Sequence, residues 1–118
     1  MKSITTHVLD TTLGRPAANM PVTLERQEGN GSWCKVGGGT TNQDGRSENL
    51  LPADKAPADK LSPGIYRLTF DTAAYLTSQA ADVFYPQVTV VFAVTDTAQH
   101  YHIPLLLSRY GYSTYRGS

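Results

Sequence analysis

Apolar and polar residues alternate with a period of two along most of this chain, in short runs closed by turn residues. Ile4-Thr5-Thr6-His7-Val8-Leu9-Asp10 is rich in β-branched residues and ends at a Gly14-Arg15-Pro16 turn. In Pro21-Val22-Thr23-Leu24-Glu25-Arg26, Val22 and Leu24 fall on one face, and the proline takes the first strand position, where a missing N–H matters least. A turn over Glu28-Gly29-Asn30-Gly31-Ser32 leads into a returning strand from Trp33 to Val36. In Gly64-Ile65-Tyr66-Arg67-Leu68-Thr69-Phe70, the residues Tyr66, Leu68 and Phe70 share a face, and Val88 to Val94 reads as the strongest strand. His100 to Leu107 and Tyr112 to Tyr115 complete the series.

Several interruptions carry their own expectations. Gly37-Gly38-Gly39 breaks the alternation, so the sheet should pause there, in a bulge or a close strand approach. Asn42-Gln43-Asp44-Gly45-Arg46 reads as a turn with Gly45 at positive φ. Residues 52–63 read as a polar loop. Asp71 is a helix cap ahead of Thr72-Ala73-Ala74-Tyr75-Leu76, which predicts one short helix. Pro104 places its strand at an edge or a bulge, and the apolar residues on both sides of it (Ile103, Leu105, Leu106, Leu107) predict contact with a partner subunit. Seven to eight strands in one sheet would leave a face bare, so the prediction is an all-β, two-sheet antiparallel sandwich with one short helix.

The length of 118 residues suits a single domain over 1–118. Ten basic and ten acidic side chains cancel, so long-range attraction to nucleic acid or an anionic membrane is not expected. Cys34 is alone, which excludes an internal disulfide and a cysteine-rich zinc site. The chain opens without an apolar leader and carries no bilayer-length apolar run, and the expected location is the cytoplasm.

Chemistry is concentrated in few places. His100 and His102 are two apart and point the same way in a regular strand; with His7 they could form a three-histidine metal site. Imidazole serves equally as acid, base or structural hydrogen-bonder, and no carboxylate stands near in sequence, so metal binding is the weaker reading. Arg46 follows an Asp-Gly turn; it is either a solvated turn residue or a planar donor fork for an oxygen-rich ligand. No Gly-x-Ser-x-Gly elbow and no phosphate-binding glycine motif is present. The closing Tyr115-Arg116-Gly117-Ser118 brings an aromatic ring, a guanidinium and a hydroxyl to the end of a packed strand.

Three segments together, Thr6-His7-Val8-Leu9-Asp10 with Gly14-Arg15-Pro16-Ala17, Thr41 to Arg46, and His100-Tyr101-His102-Ile103-Pro104-Leu105-Leu106-Leu107-Ser108 through Ser118, resemble the transthyretin-like family of 5-hydroxyisourate hydrolases. The match spans nearly the whole chain in order. The Tyr-Arg-Gly-Ser ending is specific to the hydrolases, and transthyretin itself lacks it. Arg109-Tyr110 departs from the family pattern, which has a proline after Leu-Leu-Leu-Ser. The resemblance implies a prealbumin-like sandwich assembled as a homotetramer, a dimer of dimers, with active sites in a channel between dimers. It implies a catalytic set of His7, Arg46, His102 and Ser118, with Tyr115, Arg116 and Gly117 shaping the substrate site; His100 is outside that set and is expected to have a structural or supporting role. The implied reaction opens a ring amide of 5-hydroxyisourate to 2-oxo-4-hydroxy-4-carboxy-5-ureidoimidazoline in urate breakdown, with no metal and no organic cofactor. The alternative is a non-catalytic carrier of small molecules on the same fold.

Overall fold

The computed structural model describes residues 3–51 and 61–118. Most of the loop expected over 52–63 therefore lies outside the described residues. The strands are β1 (Ile4–Asp10), β2 (Arg15–Pro16), β3 (Pro21–Gln27), β4 (Trp33–Thr40), β5 (Arg46–Ser47), β6 (Gly64–Phe70), β7 (Val88–Val94), β8 (Tyr101–His102), β9 (Leu105–Leu107) and β10 (Tyr112–Thr114), with one helix, α1 (Thr72–Ser78). One sheet runs β10-β9-β1-β2, with β5 and β8 also paired to β1; the other runs β4-β3-β6-β7. The predicted two-sheet architecture with a single short helix is what forms.

The period-two pattern decides what is buried. Ile4, Thr6, Val8 and Asp10 of β1 turn inward, as do Val22 and Leu24 of β3 and Tyr66, Leu68 and Phe70 of β6. Leu105 and Leu107 close the core from β9. Burial of this apolar surface, at roughly 25 cal/mol per Å², is the main force pressing the sheets together. Asp71 caps α1 by accepting from the Ala74 N–H at 3.0 Å, as its position before helix-tolerant residues predicts. The helix packs Tyr75 inward, where its hydroxyl donates to the buried Asp10 carboxylate at 2.7 Å. Burial, then that bond, raise the Tyr75 phenol well above its usual range.

Three expectations are corrected. Gly37, Gly38 and Gly39 do not interrupt the sheet: they stay paired to Leu24, Thr23 and Val22, and the irregularity is a register shift between Leu24 and Glu25. The expected bulge and close approach are both there, since a Cβ on Gly38 would lie 2.5 Å from the Val22 carbonyl oxygen. The run from His100 to Leu107 is two short strands rather than one, with His100 ahead of β8. Pro104 has no N–H to give the ladder, so pairing stops at Ile103-Pro104 and resumes in β9. Side chains cover the break: Thr6 Oγ1 donates to the Ile103 carbonyl at 2.6 Å and Thr114 Oγ1 to that of Pro104 at 2.7 Å. Finally, β9 is not an edge. It lies between β1, which it pairs in parallel, and β10, and β10 carries the exposed edge.

Candidate active site

The site follows from register on β1. Even-numbered residues of this strand face the core, so Thr5 and His7 face the other way. Thr5 is the register partner of His102 on β8, and His7 is that of Arg46 on β5. Side chains directly opposite across a ladder share a face. Thr5, His7, Arg46 and His102 therefore stand together on the outer face of the sheet, although they are separated by up to 97 residues along the chain.

Each is held by local structure. Gly45 takes φ of 76°, and a Cβ there would run into the Val8 carbonyl oxygen, so only glycine lets the turn fold this tightly against β1. The Gly45 carbonyl accepts from the Val8 N–H at 2.7 Å. Asn42 braces the other side of the turn: its side-chain oxygen accepts from the N–H groups of Asp44 and Arg46, at 2.9 and 3.0 Å. At the chain's other end, Gly117 bridges to His102, its N–H donating to the His102 carbonyl at 2.8 Å. The imidazole packs against this glycine, where an added Cβ would sit 2.5 Å from Cδ2.

A cleft of about 660 Å³ opens over this face, lined by Thr5, Thr6, Arg46, Glu48, His100, His102 and Ser118. His102 Nδ1 is 2.8 Å from the Thr5 hydroxyl, and His100 Nε2 is 2.9 Å from the same oxygen. Burial pushes the His102 imidazole below the usual histidine value; the neighbouring His100, Arg46 and His7 add to this in that order, and Glu48 opposes it. His102 is therefore neutral near pH 7, as a proton acceptor must be. Arg46 is exposed to the cleft with its planar fork of donors.

Tyr115 and Arg116 take a different position. They border a smaller apolar hollow of about 160 Å³ between β7 and the chain's last residues, lined also by Val90, Phe92 and Tyr101. The Arg116 guanidinium lies 4.8 Å over the Tyr101 ring and donates to Gln99. His102 lines both spaces and connects them. Among the described residues no group of three or more histidines, cysteines and carboxylates converges as a metal site would require.

Three participants escaped the sequence reading: Thr5, Asn42 as a brace for Arg46, and Glu48. Thr5 could have been found from its position two residues before His7, on the same face of one strand. Asn42 and Glu48 flank the turn that carries Arg46, and nothing in their spacing marks them out.

Comparison with known proteins matches this chain along nearly its whole length. Residues 4–117 match the model of the HIUase/Transthyretin family. The 5-hydroxyisourate hydrolase of Salmonella typhimurium is 47% identical over 115 residues, covering 98% of this chain and 80% of its own. The structure of the Klebsiella pneumoniae 5-hydroxyisourate hydrolase superposes with a TM-score of 0.82 at 31% identity, over 100% of both chains. Sea bream transthyretin in complex with thyroxine superposes with a TM-score of 0.85 at 30% identity, over 97% of this chain and 93% of its own. The chain belongs to the HIUase/Transthyretin family.

Proposed function

We propose that this chain is a 5-hydroxyisourate hydrolase acting in urate breakdown, with its active site in the cleft between Arg46, His102 and Ser118. The observation that carries the reading is the register of β1, which gathers His7, Arg46 and a neutral His102 on one face. The hydrolase name borne by relatives at this level of identity points the same way.

In the proposed reaction, His102 Nε2 takes a proton from a water while that water's oxygen bonds to a ring amide carbonyl carbon of the substrate. General-base help of this kind is worth about 10²–10⁴-fold. The carbonyl oxygen gains negative charge, which the Arg46 guanidinium meets with two parallel donors. The C–N bond then breaks, and His102 returns its proton to the departing nitrogen. His7 orients the water or Arg46, and the Ser118 hydroxyl orients substrate at the cleft's rim. Gly117 makes room for the His102 ring. Tyr115 and Arg116 hold the part of the substrate that passes His102 into the neighbouring hollow. No step calls for a metal or an organic cofactor.

The same reading includes a homotetramer built as a dimer of dimers, in the cytoplasm. Its support is the exposed edge strands β7 and β10 and the outward-facing apolar side chains Ile65 and Val91, the latter 57% exposed. Among the described residues no helix is long and apolar enough to cross a membrane. A carrier without turnover shares the fold, but it has no use for a neutral imidazole opposite a guanidinium.

Freshly generated 5-hydroxyisourate, followed by ultraviolet absorbance with chelator present, should decay faster with catalytic amounts of the protein. That acceleration should vanish in His102→Ala. Decay at the spontaneous rate from a protein shown by light scattering to be tetrameric would leave only the carrier.

A further inference from the structure

One hydroxyl, that of Thr5, lies within hydrogen-bond distance of a nitrogen on each of two imidazoles. The two rings are stacked, with centroids 6.2 Å apart and planes 25° from parallel. A hydroxyl has one proton to donate. If both bonds form with neutral rings and that proton is used, one ring nitrogen must carry a hydrogen and the other must be bare. The tautomers of His100 and His102 are therefore linked through Thr5.

Two arrangements satisfy this rule, and they differ in what His102 offers the cleft. In one, Thr5 donates to His102 Nδ1, so Nε2 carries the hydrogen and cannot accept a proton. In the other, His102 Nδ1–H donates to Thr5, Thr5 donates to His100 Nε2, and His102 Nε2 is a bare lone pair. The groups that face the ring choose between them. The Arg46 guanidinium bears on it with positive charge, Glu48 opposes it with less effect, and Ser118 stands across the cleft. A lone pair facing net positive charge is favoured over an N–H dipole facing it. Nε2 is also on the ring edge that Thr5 leaves free, since Thr5 meets Nδ1.

We infer that Thr5 and His100 are positioning residues that fix His102 as its Nδ1–H tautomer, through the chain His102 Nδ1–H to Thr5 Oγ1–H to His100 Nε2. This deepens the hydrolase reading and rests on it for its catalytic meaning. Thr5 is buried and so holds a single orientation, whereas His100 is exposed and accepts the Thr5 proton at the protein surface. When His102 takes a proton at Nε2, its Nδ1–H bond to Thr5 becomes charge-assisted and stronger. No proton has to travel along the chain, and the one taken from water returns to the leaving nitrogen.

The test is the ¹⁵N spectrum of the imidazole nitrogens in the free protein, which needs no substrate. The native His102 should show a protonated Nδ1 and a bare Nε2. Thr5→Val keeps the shape and removes the hydroxyl; His100→Phe keeps the stack and removes the acceptor, and it sits at an exposed position where folding is not at stake. Both should shift the His102 population toward the Nε2–H form, and Thr5→Ser should restore the native pattern. Turnover should follow the tautomer, with kcat lowered by up to about 10²-fold and KM little changed. A native His102 with hydrogen on Nε2, or an unchanged tautomer in His100→Phe, would overturn the inference. A protein with the expected tautomers and no hydrolase activity would keep the inference and refute the proposed function.

Discussion

The two faces of β1 obey opposite rules. Toward the core stand Ile4, Thr6, Val8 and Asp10, all buried, with each polar group among them paired: Thr6 to the Ile103 carbonyl, Asp10 to Tyr75 and the Leu13 N–H. On the outer face, one residue out of step, stand Thr5, His7 and Leu9, and there the Thr5 hydroxyl meets the two imidazoles that line an open cleft. The inner face spends its polar groups on holding the sheets together. The outer face turns them toward the cleft. One strand can serve both purposes because a period of two separates its side chains completely.

The sharpest way to break this comparison is on the inner face. Ile4→Ala should lower stability by about 2–5 kcal/mol, read from a denaturant melt, while turnover per folded molecule stays near native. Large loss of turnover in the folded fraction would show that the faces are not independent. On the outer face, Arg46→Lys should reduce turnover by on the order of 10²-fold with an unchanged melt, because a point charge cannot reproduce a planar fork. Normal turnover would make Arg46 a turn residue only. Gly117→Ala tests the contact that seats His102: the added Cβ needs space the ring occupies, so the ring must move. A loss of about tenfold in kcat is expected, since misplacing a reacting group is costly even when the fold survives. An unmoved His102 resonance would refute that account.

The smallest effect is one of pH. The His102 pKa is lowered from its ordinary value of 6.5, chiefly by burial. The unfolded chain then binds this proton more readily than the folded one, so acidification below 6.5 costs stability until the folded value is passed. Turnover should hold below pH 6.5 and fall only as the lowered value is crossed. In His102→Asn this contribution to the stability slope should disappear, which paired melts across pH 5 to 8 would detect.

Much of the fold was legible in the pattern. Val22 with Leu24, and Tyr66 with Leu68 and Phe70, are buried as their alternation requires, and Asp71 caps the helix it precedes. Strand ends were harder to read. The three glycines looked like a break because they have no side chains to bury, yet that same lack lets β4 lie close against β3. Pro104 correctly marked an irregularity, but whether a proline interrupts an edge strand or an interior one depends on pairing on both sides, to nearby β10 and to β1 at the other end of the chain, and a local signal carries no information on the second. The two-residue strands β2 and β5 are too short to show a period at all.

The site divides in the same way. The residues that resemble the hydrolase family, His7, Arg46, His102 and the Tyr-Arg-Gly-Ser ending, could be named from the chain alone, because motifs are local. Which of them share a space could not. Pairing β1 with β5 and β8 puts Thr5 beneath both imidazoles and Arg46 opposite His7, whereas Arg116 lies over Tyr101 beside a separate hollow. Alternation along a strand sets which face a side chain takes, and that is written in the order of residues. Register between strands sets which side chains meet, and it is decided only when turns, bulges and the shared core select one pairing for the whole sheet.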